Sequence, residues 1–233
     1  MLNDFEITQK WPAKDPSIIQ LYSLPTPNGV KASAMLEECG LPYEAHLVSF
    51  GTNDQMSPEF LSLNPNNKIP AIIDPNGPNG APLPLWESGA ILIYLAEKTG
   101  KFLSKDPAEK YETLQWLMWQ MGGVGPMFGQ LGFFHKFAGA AYEDKRPFER
   151  YRDESLRLLS VLETRLEGRA YVMGDEYTIA DIALWPWIRS LVGFYEATEL
   201  LGLDKSPNIM RWYDACSKRP ASEKAANIPA MPA

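Results

Sequence analysis

The chain has 233 residues, 45% of them apolar and 22% charged, enough length and apolar content to bury one large core or two smaller ones without metals or disulfides. Twenty-two Lys and Arg against 29 Asp and Glu leave a formal net charge of −7, which excludes the basic field that holds a phosphate backbone. No apolar run approaches the roughly 20 residues that span a bilayer: the best, Ala90 to Ala96, stops at Glu97. The opening Met1 to Glu6 has neither a basic start nor an apolar stretch. No signal peptide is expected, and the expected location is cytoplasmic.

Residues 1–16 are polar, with Trp11-Pro12 and Asp15-Pro16, and lack helical or strand period; they read as an irregular extension. Ile18 to Tyr22 is a short β-rich run, and Pro25, Pro27 and Gly29 mark a turn before a helix from Val30 to Cys39, stopped by Gly40. Tyr43–Phe50 reads as a second strand, Ser57–Leu61 as a short helix, Ile69–Asp74 as a third strand and Leu83–Trp86 as a fourth. Ser88 begins a helix with Ile91, Tyr94 and Leu95 at helical spacing, ending near Gly100. This β-α-β-α-β-β-α order predicts a compact α/β domain over residues 17–100.

After a linker at 101–106 only helices are expected, in a domain over 107–233 that includes a C-terminal tail. Asp106-Pro107-Ala108-Glu109 supplies an N-cap, a first-turn proline and a first-turn acid. A long helix is expected from Pro147 to Glu167, with Leu158, Leu159, Leu162 and Leu166 on one stripe and Gly168 as its stop. Thr178-Ile179-Ala180-Asp181 matches a capping box ahead of an apolar helix; Ser206-Pro207 starts a last main helix, which Pro220 is expected to end.

Most chemistry is missing. The two histidines, His46 and His135, and the distant Cys39 and Cys216 form no metal-ligand cluster, and no nucleophile elbow accompanies either histidine; no metal is expected. Gly122-Gly123-Val124-Gly125-Pro126 lacks a preceding strand and the Lys-Ser/Thr ending of a phosphate loop, and reads as a helix break or a close helix contact. The first strand-to-helix turn is where redox proteins of this layout place C-x-x-C. Thr26 and Gly29 occupy both thiol positions, so thiol chemistry at this turn has to come from a ligand. Cys39 and Cys216 read as small buried fillers.

Asn64 to Ala71 (NPNNKIPA), Glu87 to Leu95 (ESGAILIYL) and Gly174 to Trp187 with its Thr178/Asp181 cap together resemble the cytosolic glutathione transferases, over about residues 17 to 225. Thr26-Pro27-Asn28-Gly29, Leu114 to Gln120 and Trp185-Pro186-Trp187 are most similar to the bacterial nu class, the disulfide-bond reductase type. That class is also similar to a fungal nitrogen regulator with a transferase-like fold.

The resemblance implies a thioredoxin-like first domain and an all-helical second domain, glutathione as co-substrate with two molecules able to share one site, and a homodimer in which one subunit's first domain packs on the other's helical domain. It implies a cis Pro70 beside an Ile69 whose backbone pairs with the ligand's cysteine as an added strand. Lys68 offsets a terminal carboxylate, Ser88 at a helix start binds the γ-glutamyl carboxylate, and Glu87 takes the α-amino group. Gln55 and Arg150 match positions the class uses for glutathione contact. Thr26 and Asn28 are the residues expected to stabilise the glutathione thiolate, in preference to Tyr22 and Ser23 before the turn. On the residues alone, Ser88 reads equally as a plain N-cap, Asn28 has the alternative of a helix cap and turn former, and Arg150 reads as a solvated helix charge.

The function expected is a glutathione-dependent disulfide reductase or peroxidase with weak conjugating activity. A glutathione-binding regulatory protein and a glutathione-dependent isomerase or lyase share the fold and remain alternatives. Trp116, Trp119, Met127, Phe128, Phe133 and Phe134 are expected to shape a second-substrate pocket, at least half of them belonging instead to the helical core.

Overall fold

A computed structural model describes residues 2–231, Asn3 by its backbone alone. The chain divides into two compact units, one running to Lys101 and regaining the residues from Pro220 onward, the other spanning Phe102–Arg219. In the first unit the elements are α1 (Ile7–Lys10), β1 (Ile19–Ser23), α2 (Pro27–Cys39), β2 (Tyr43–Leu47), α3 (Pro58–Leu63), β3 (Ala71–Asp74), β4 (Leu83–Trp86) and α4 (Ser88–Thr99). The second unit contains α5 (Pro107–Trp119), α6 (Gly125–Lys136), α7 (Arg146–Arg165), α8 (Ile179–Arg189) and α9 (Pro207–Ser217), and the chain then adds α10 (Pro220–Ala225) to the first unit.

The sheet order is β2-β1-β3-β4. β1 runs parallel to β2 and antiparallel to β3, and β4 is antiparallel to β3. This is the thioredoxin-like arrangement that the family resemblance implied, and the α/β domain expected from the element order. β1 and β3 are buried along their whole length, as central strands covered on both faces must be. Tyr22, Ala71 and Ile73 join Phe60 and Leu63 of α3 in one apolar cluster. Leu21 and Ile72 alternate to the opposite face, where α2 and α4 pack on each other and on the sheet.

Three boundaries differ from the sequence reading for identifiable reasons. β3 starts at Ala71 instead of Ile69, because Pro70 has no N–H to give to the ladder. β2 stops at Leu47 instead of Phe50, because the next ladder donor but one, Ser49 N–H, goes to the Asp54 carboxylate at 2.9 Å. α2 starts at Pro27, the first helical position after the Thr26 cap. Gly29 is needed there: a Cβ would stand 1.9 Å from the Leu24 carbonyl oxygen and 2.5 Å from Ser23 Oγ.

Two expectations need amending. The N-terminal segment is irregular only in part: Leu2–Asp4 form a 3₁₀ turn and Ile7–Lys10 a helical turn, with Leu2 and Ile7 buried in the apolar cluster beside β3, while residues 11–16 carry neither helix nor strand. Spaced apolar side chains on an otherwise polar segment gave no period to read. α9 stops at Ser217 with Lys218 as its C-cap, just ahead of Pro220 as expected. Pro220 also opens α10, whose Ala225 is buried; a proline that closes one helix can stand at the first position of the next, and the sequence reading saw only the first role. The second unit begins at Phe102, inside the expected linker, with the Phe102 carbonyl accepting Ile179 N–H at 3.0 Å.

In the second unit α8 is buried on all sides from Ile179 to Ile188, the mark of a central helix. Its cap is a complete capping box between Thr178 and Asp181. The expected break at Gly122–Pro126 is a π-helical turn, Gln120–Val124, joining α5 to α6.

Candidate functional site

The sheet register explains how residues distant in sequence meet. β1 and β2 are parallel, so the segments after both leave at the same end of the sheet. β3 is antiparallel to β1 and starts at that end, with Tyr22 opposite Ala71. Ala71 is in turn opposite Trp86, the last residue of β4. One end of the sheet therefore collects Thr26 and Asn28 after β1, Gln55 after β2, Lys68-Ile69-Pro70 before β3, and Glu87-Ser88 after β4. The topology brings together every expected site residue of the first unit.

Thr26 caps α2, its Oγ1 accepting Gly29 N–H at 3.4 Å. A hydroxyl that accepts can still donate, and among the described residues the Thr26 O–H finds no acceptor. Asn28 is half-buried at the second position of α2, and its side chain makes no hydrogen bond among the described residues. Its N–H belongs to the first turn, where no carbonyl of the helix can receive it. Tyr22 is unlike these two. Its hydroxyl lies buried without a partner among the described residues, its ring stacks on His46, and burial followed by the charge of Glu44 pushes its ionisation well up. A thiolate-stabilising role does not suit it.

Asn64 organises the loop before β3. It is 1% exposed; its Nδ2 donates to the Lys68 carbonyl at 2.6 Å and its Oδ1 accepts Asn66 N–H at 2.9 Å. The Ile69–Pro70 bond is cis. Ile69 and Pro70 are buried while Lys68 is exposed, so a cationic head stands at the rim of an apolar floor. Gln55 sits in the 3₁₀ turn Asp54–Met56, and its buried Oε1 has no partner among the described residues.

Glu87 is the N-cap of α4 with φ 74° and ψ 113°, left-handed backbone that a non-glycine residue holds only where its surroundings impose it. Its side chain is exposed, whereas Ser88 is buried at the first position of α4. This pairs an outward carboxylate with a helix start that favours anions.

Lys31, which sequence reasoning missed, completes the set. It is fully buried one turn beyond Asn28, and its Nζ donates to Ser88 Oγ at 3.3 Å. Burial pulls its ammonium down to about 7 against the opposing pull of Glu87. A single lysine in the apolar stretch Val30 to Leu36 was the available signal.

Arg150 belongs to the second unit, on α7, and is exposed. Of the six aromatic and methionine side chains expected to line a pocket or the core, only Phe128 is fully buried. That corrects the expectation that at least half are core: Trp116 and Trp119 meet edge to face at 5.2 Å and Phe133 and Phe134 at 5.1 Å, all incompletely buried. Cys39 and Cys216 are buried and not joined in a disulfide, and burial pushes the Cys39 thiol up. Among the described residues no group of three or more His, Cys, Asp or Glu is placed to hold a metal ion, and no helix is long and apolar enough to cross a membrane.

Known proteins share this architecture. Residues 17–97 match the glutathione S-transferase N-terminal domain and residues 124–220 the C-terminal domain. The disulfide-bond oxidoreductase YfcG of Escherichia coli is 46% identical over 210 residues, 89% of this chain and 94% of that protein. A glutathione transferase from Burkholderia graminis, solved with two glutathione molecules bound per subunit, is 65% identical with a TM-score of 0.98, covering 100% of this chain and 97% of that one. One from Pseudomonas putida, solved with one glutathione disulfide per subunit, is 63% identical with a TM-score of 0.96, covering 98% and 99%. With an α/β unit that gathers these residues at one sheet end and a helical unit built on a capped central helix, the chain belongs to the glutathione S-transferase family of enzymes.

Proposed function

We propose that the protein is a glutathione-dependent disulfide reductase that uses two glutathione molecules in turn. The observation that carries this reading is the cysteine-free turn at Thr26–Gly29, which offers donors and a helix start where a dithiol would otherwise stand. A glutathione thiolate attacks one sulfur of the substrate disulfide, forming a mixed disulfide and releasing the other half as a thiolate. A second glutathione thiolate attacks the mixed disulfide at its glutathione sulfur. Glutathione disulfide leaves, and the remaining half of the substrate departs reduced; two thiols have supplied two electrons.

Thr26 Oγ1–H and the Asn28 amide are the donors in this reading. A thiol of pKa near 8.5 is only about 3% thiolate at pH 7, and lowering it by two units gives roughly 75%, worth about 2.7 kcal/mol. One or two hydrogen bonds to a charged acceptor, at about 1.5–3 kcal/mol each, supply that. Neither residue loses a proton. Ile69 gives the backbone pairing beside Pro70, Lys68 offsets the glycyl carboxylate, and Ser88 and Glu87 take the γ-glutamyl carboxylate and amine. Gln55 Oε1 accepts from the tripeptide. Arg150 is assigned to glutathione by the class resemblance alone. Peroxide reduction, weak conjugation and a homodimer belong to the same proposal.

The test is reduction of 2-hydroxyethyl disulfide by glutathione, beside conjugation of a chlorodinitrobenzene, with binding of glutathione and its disulfide followed separately. Fast reduction with slow conjugation is expected. Asn28→Ala is expected to lower kcat for reduction by about 10- to 100-fold while changing glutathione affinity far less. Equal losses in both overturn the role of Asn28. Binding without turnover of either substrate moves the protein to the regulatory reading.

A further inference from the structure

The N-terminal segment, expected to be irregular, is fastened to the two loops that supply Gln55 and Ile69. Leu2 and Ile7 are buried in one cluster with Phe60, Leu63 and Ile69. Trp11 meets Tyr22 and Phe60 edge to face at 6.0 and 6.3 Å, and its Nε1–H donates to the Leu47 carbonyl at 2.9 Å. Further along, the Glu44 carboxylate accepts Lys14 N–H and Asp15 N–H at 2.8 and 3.2 Å. The segment thus runs beside the edge strand β2 and bonds it at Leu47 and Glu44.

The polar fastening is more specific. Lys10 Nζ stands 2.8 Å from Asp54 Oδ1 and 5.0 Å from the centre of the Trp11 ring. The other oxygen of Asp54 accepts Ser49 N–H at 2.9 Å. Burial alone would raise the Asp54 carboxyl, but the bonds from Lys10 and Ser49 outweigh it and hold it below the usual range. Asp54 therefore joins the N-terminal segment to the backbone after β2, and Gln55 is the next residue. Met56, which closes the same turn, accepts Asn67 Nδ2–H on its sulfur at 3.2 Å, tying the turn to the loop that ends in Ile69–Pro70.

We propose that residues 2–16 act as a strap that sets the Asp54–Met56 turn for glutathione, with Lys10 a positioning residue acting through Asp54 on Gln55. The proposal rests on the reading above in which Gln55 contacts glutathione. Lys10 touches no substrate. Its effect is on how much of the time Gln55 is held in its binding position.

Glutathione affinity, measured by calorimetry on the full chain, is compared across wild type, Lys10→Met, Gln55→Ala and the double variant, with steady-state reduction kinetics and thermal unfolding on each. Lys10→Met is expected to weaken glutathione binding about fivefold, raising KM for glutathione with kcat at saturation unchanged, and to add nothing once Gln55 is alanine. Lys10→Arg restores the affinity. A loss that persists in full in the Gln55→Ala background, or a lowered melting temperature with unchanged affinity, reduces Lys10 to a structural residue and overturns the strap. An unchanged affinity in Lys10→Met, with a loss in Gln55→Ala, overturns the strap and leaves the site reading standing. If Gln55→Ala itself binds glutathione normally, the assignment of Gln55 falls and the strap with it.

Discussion

At the residue scale the least ordinary choice is Lys31. A buried ammonium costs free energy unless charge and hydrogen bonds compensate it. Here the Nζ donates to Ser88 Oγ; burial pulls the ammonium down, the charge of Glu87 opposes it, and burial wins, leaving the group near 7. The ordinary lysine value is 10.5, so between pH 7 and 10 the unfolded chain holds a proton that the folded chain has released. Stability from this group therefore rises with pH across that interval and is flat below it. Urea unfolding of the wild type is expected to gain about 2 kcal/mol between pH 7 and 9 from Lys31, and Lys31→Met is expected to remove that gain. The upper limit of pH 9 matters. Beyond it the raised Cys39 thiol works in the opposite direction, since the unfolded chain then loses a proton that the folded chain keeps. A slope that is identical in wild type and variant rules out the assignment.

At the element scale the capping box of α8 decides more than helix length. The buried Asp181 carboxylate accepts Thr178 N–H and Val172 N–H, each at 2.9 Å, and Trp212 Nε1–H at 2.9 Å. One side chain thus fixes the start of the central helix, the turn before it and a residue of α9. Removing it leaves four buried donors without that acceptor: these three N–H groups, each costing about 1–3 kcal/mol, and the Thr178 hydroxyl, which donates to the same carboxylate at 3.2 Å. Asp181→Ala is expected to destabilise the protein by about 3–5 kcal/mol in chemical unfolding, and Asp181→Asn by less, because its carbonyl oxygen still accepts. Equal losses in the two variants would mean that the negative charge matters and the acceptor geometry does not. The cap was legible in sequence because it is local: Thr178 and Asp181 are three residues apart. Local signals also gave Gly40, Gly100 and Gly168, all three at positive φ, and the strand Leu83–Trp86 to the residue. The same holds for the site segments, whose residue types could be read from Asn64–Ala71 and Glu87–Leu95 before any geometry. Lys31 and Asp54 were not legible, since their roles are made by partners 57 and 44 residues away.

On the scale of the whole chain, what sequence missed at both ends has one cause. Each terminal segment is short, and its fold comes from docking onto the first unit instead of from its own periodicity. At the C-terminal end the docking is concrete. Ser33 Oγ of α2 donates to the Ala225 carbonyl at 3.1 Å, Lys224 Nζ lies 2.9 Å from the Glu37 carboxylate, and Ala225 is fully buried. The chain therefore leaves the first unit at Lys101, builds the second, and returns to finish the first. A six-residue helix has no stability of its own, so the benefit of docking falls on its partner α2, which carries Asn28, Gly29 and Lys31. Ending the chain after Arg219 is expected to raise hydrogen exchange about tenfold or more along α2, Pro27–Cys39, while exchange in α8 stays as it was. Glutathione affinity should fall in step with the α2 protection, because the helix start that caps on Thr26 is then intermittently unfolded. If α2 keeps its protection in the truncated chain, α10 is a passive tail; if α8 loses protection equally, the two units unfold as one and the return of the chain serves both.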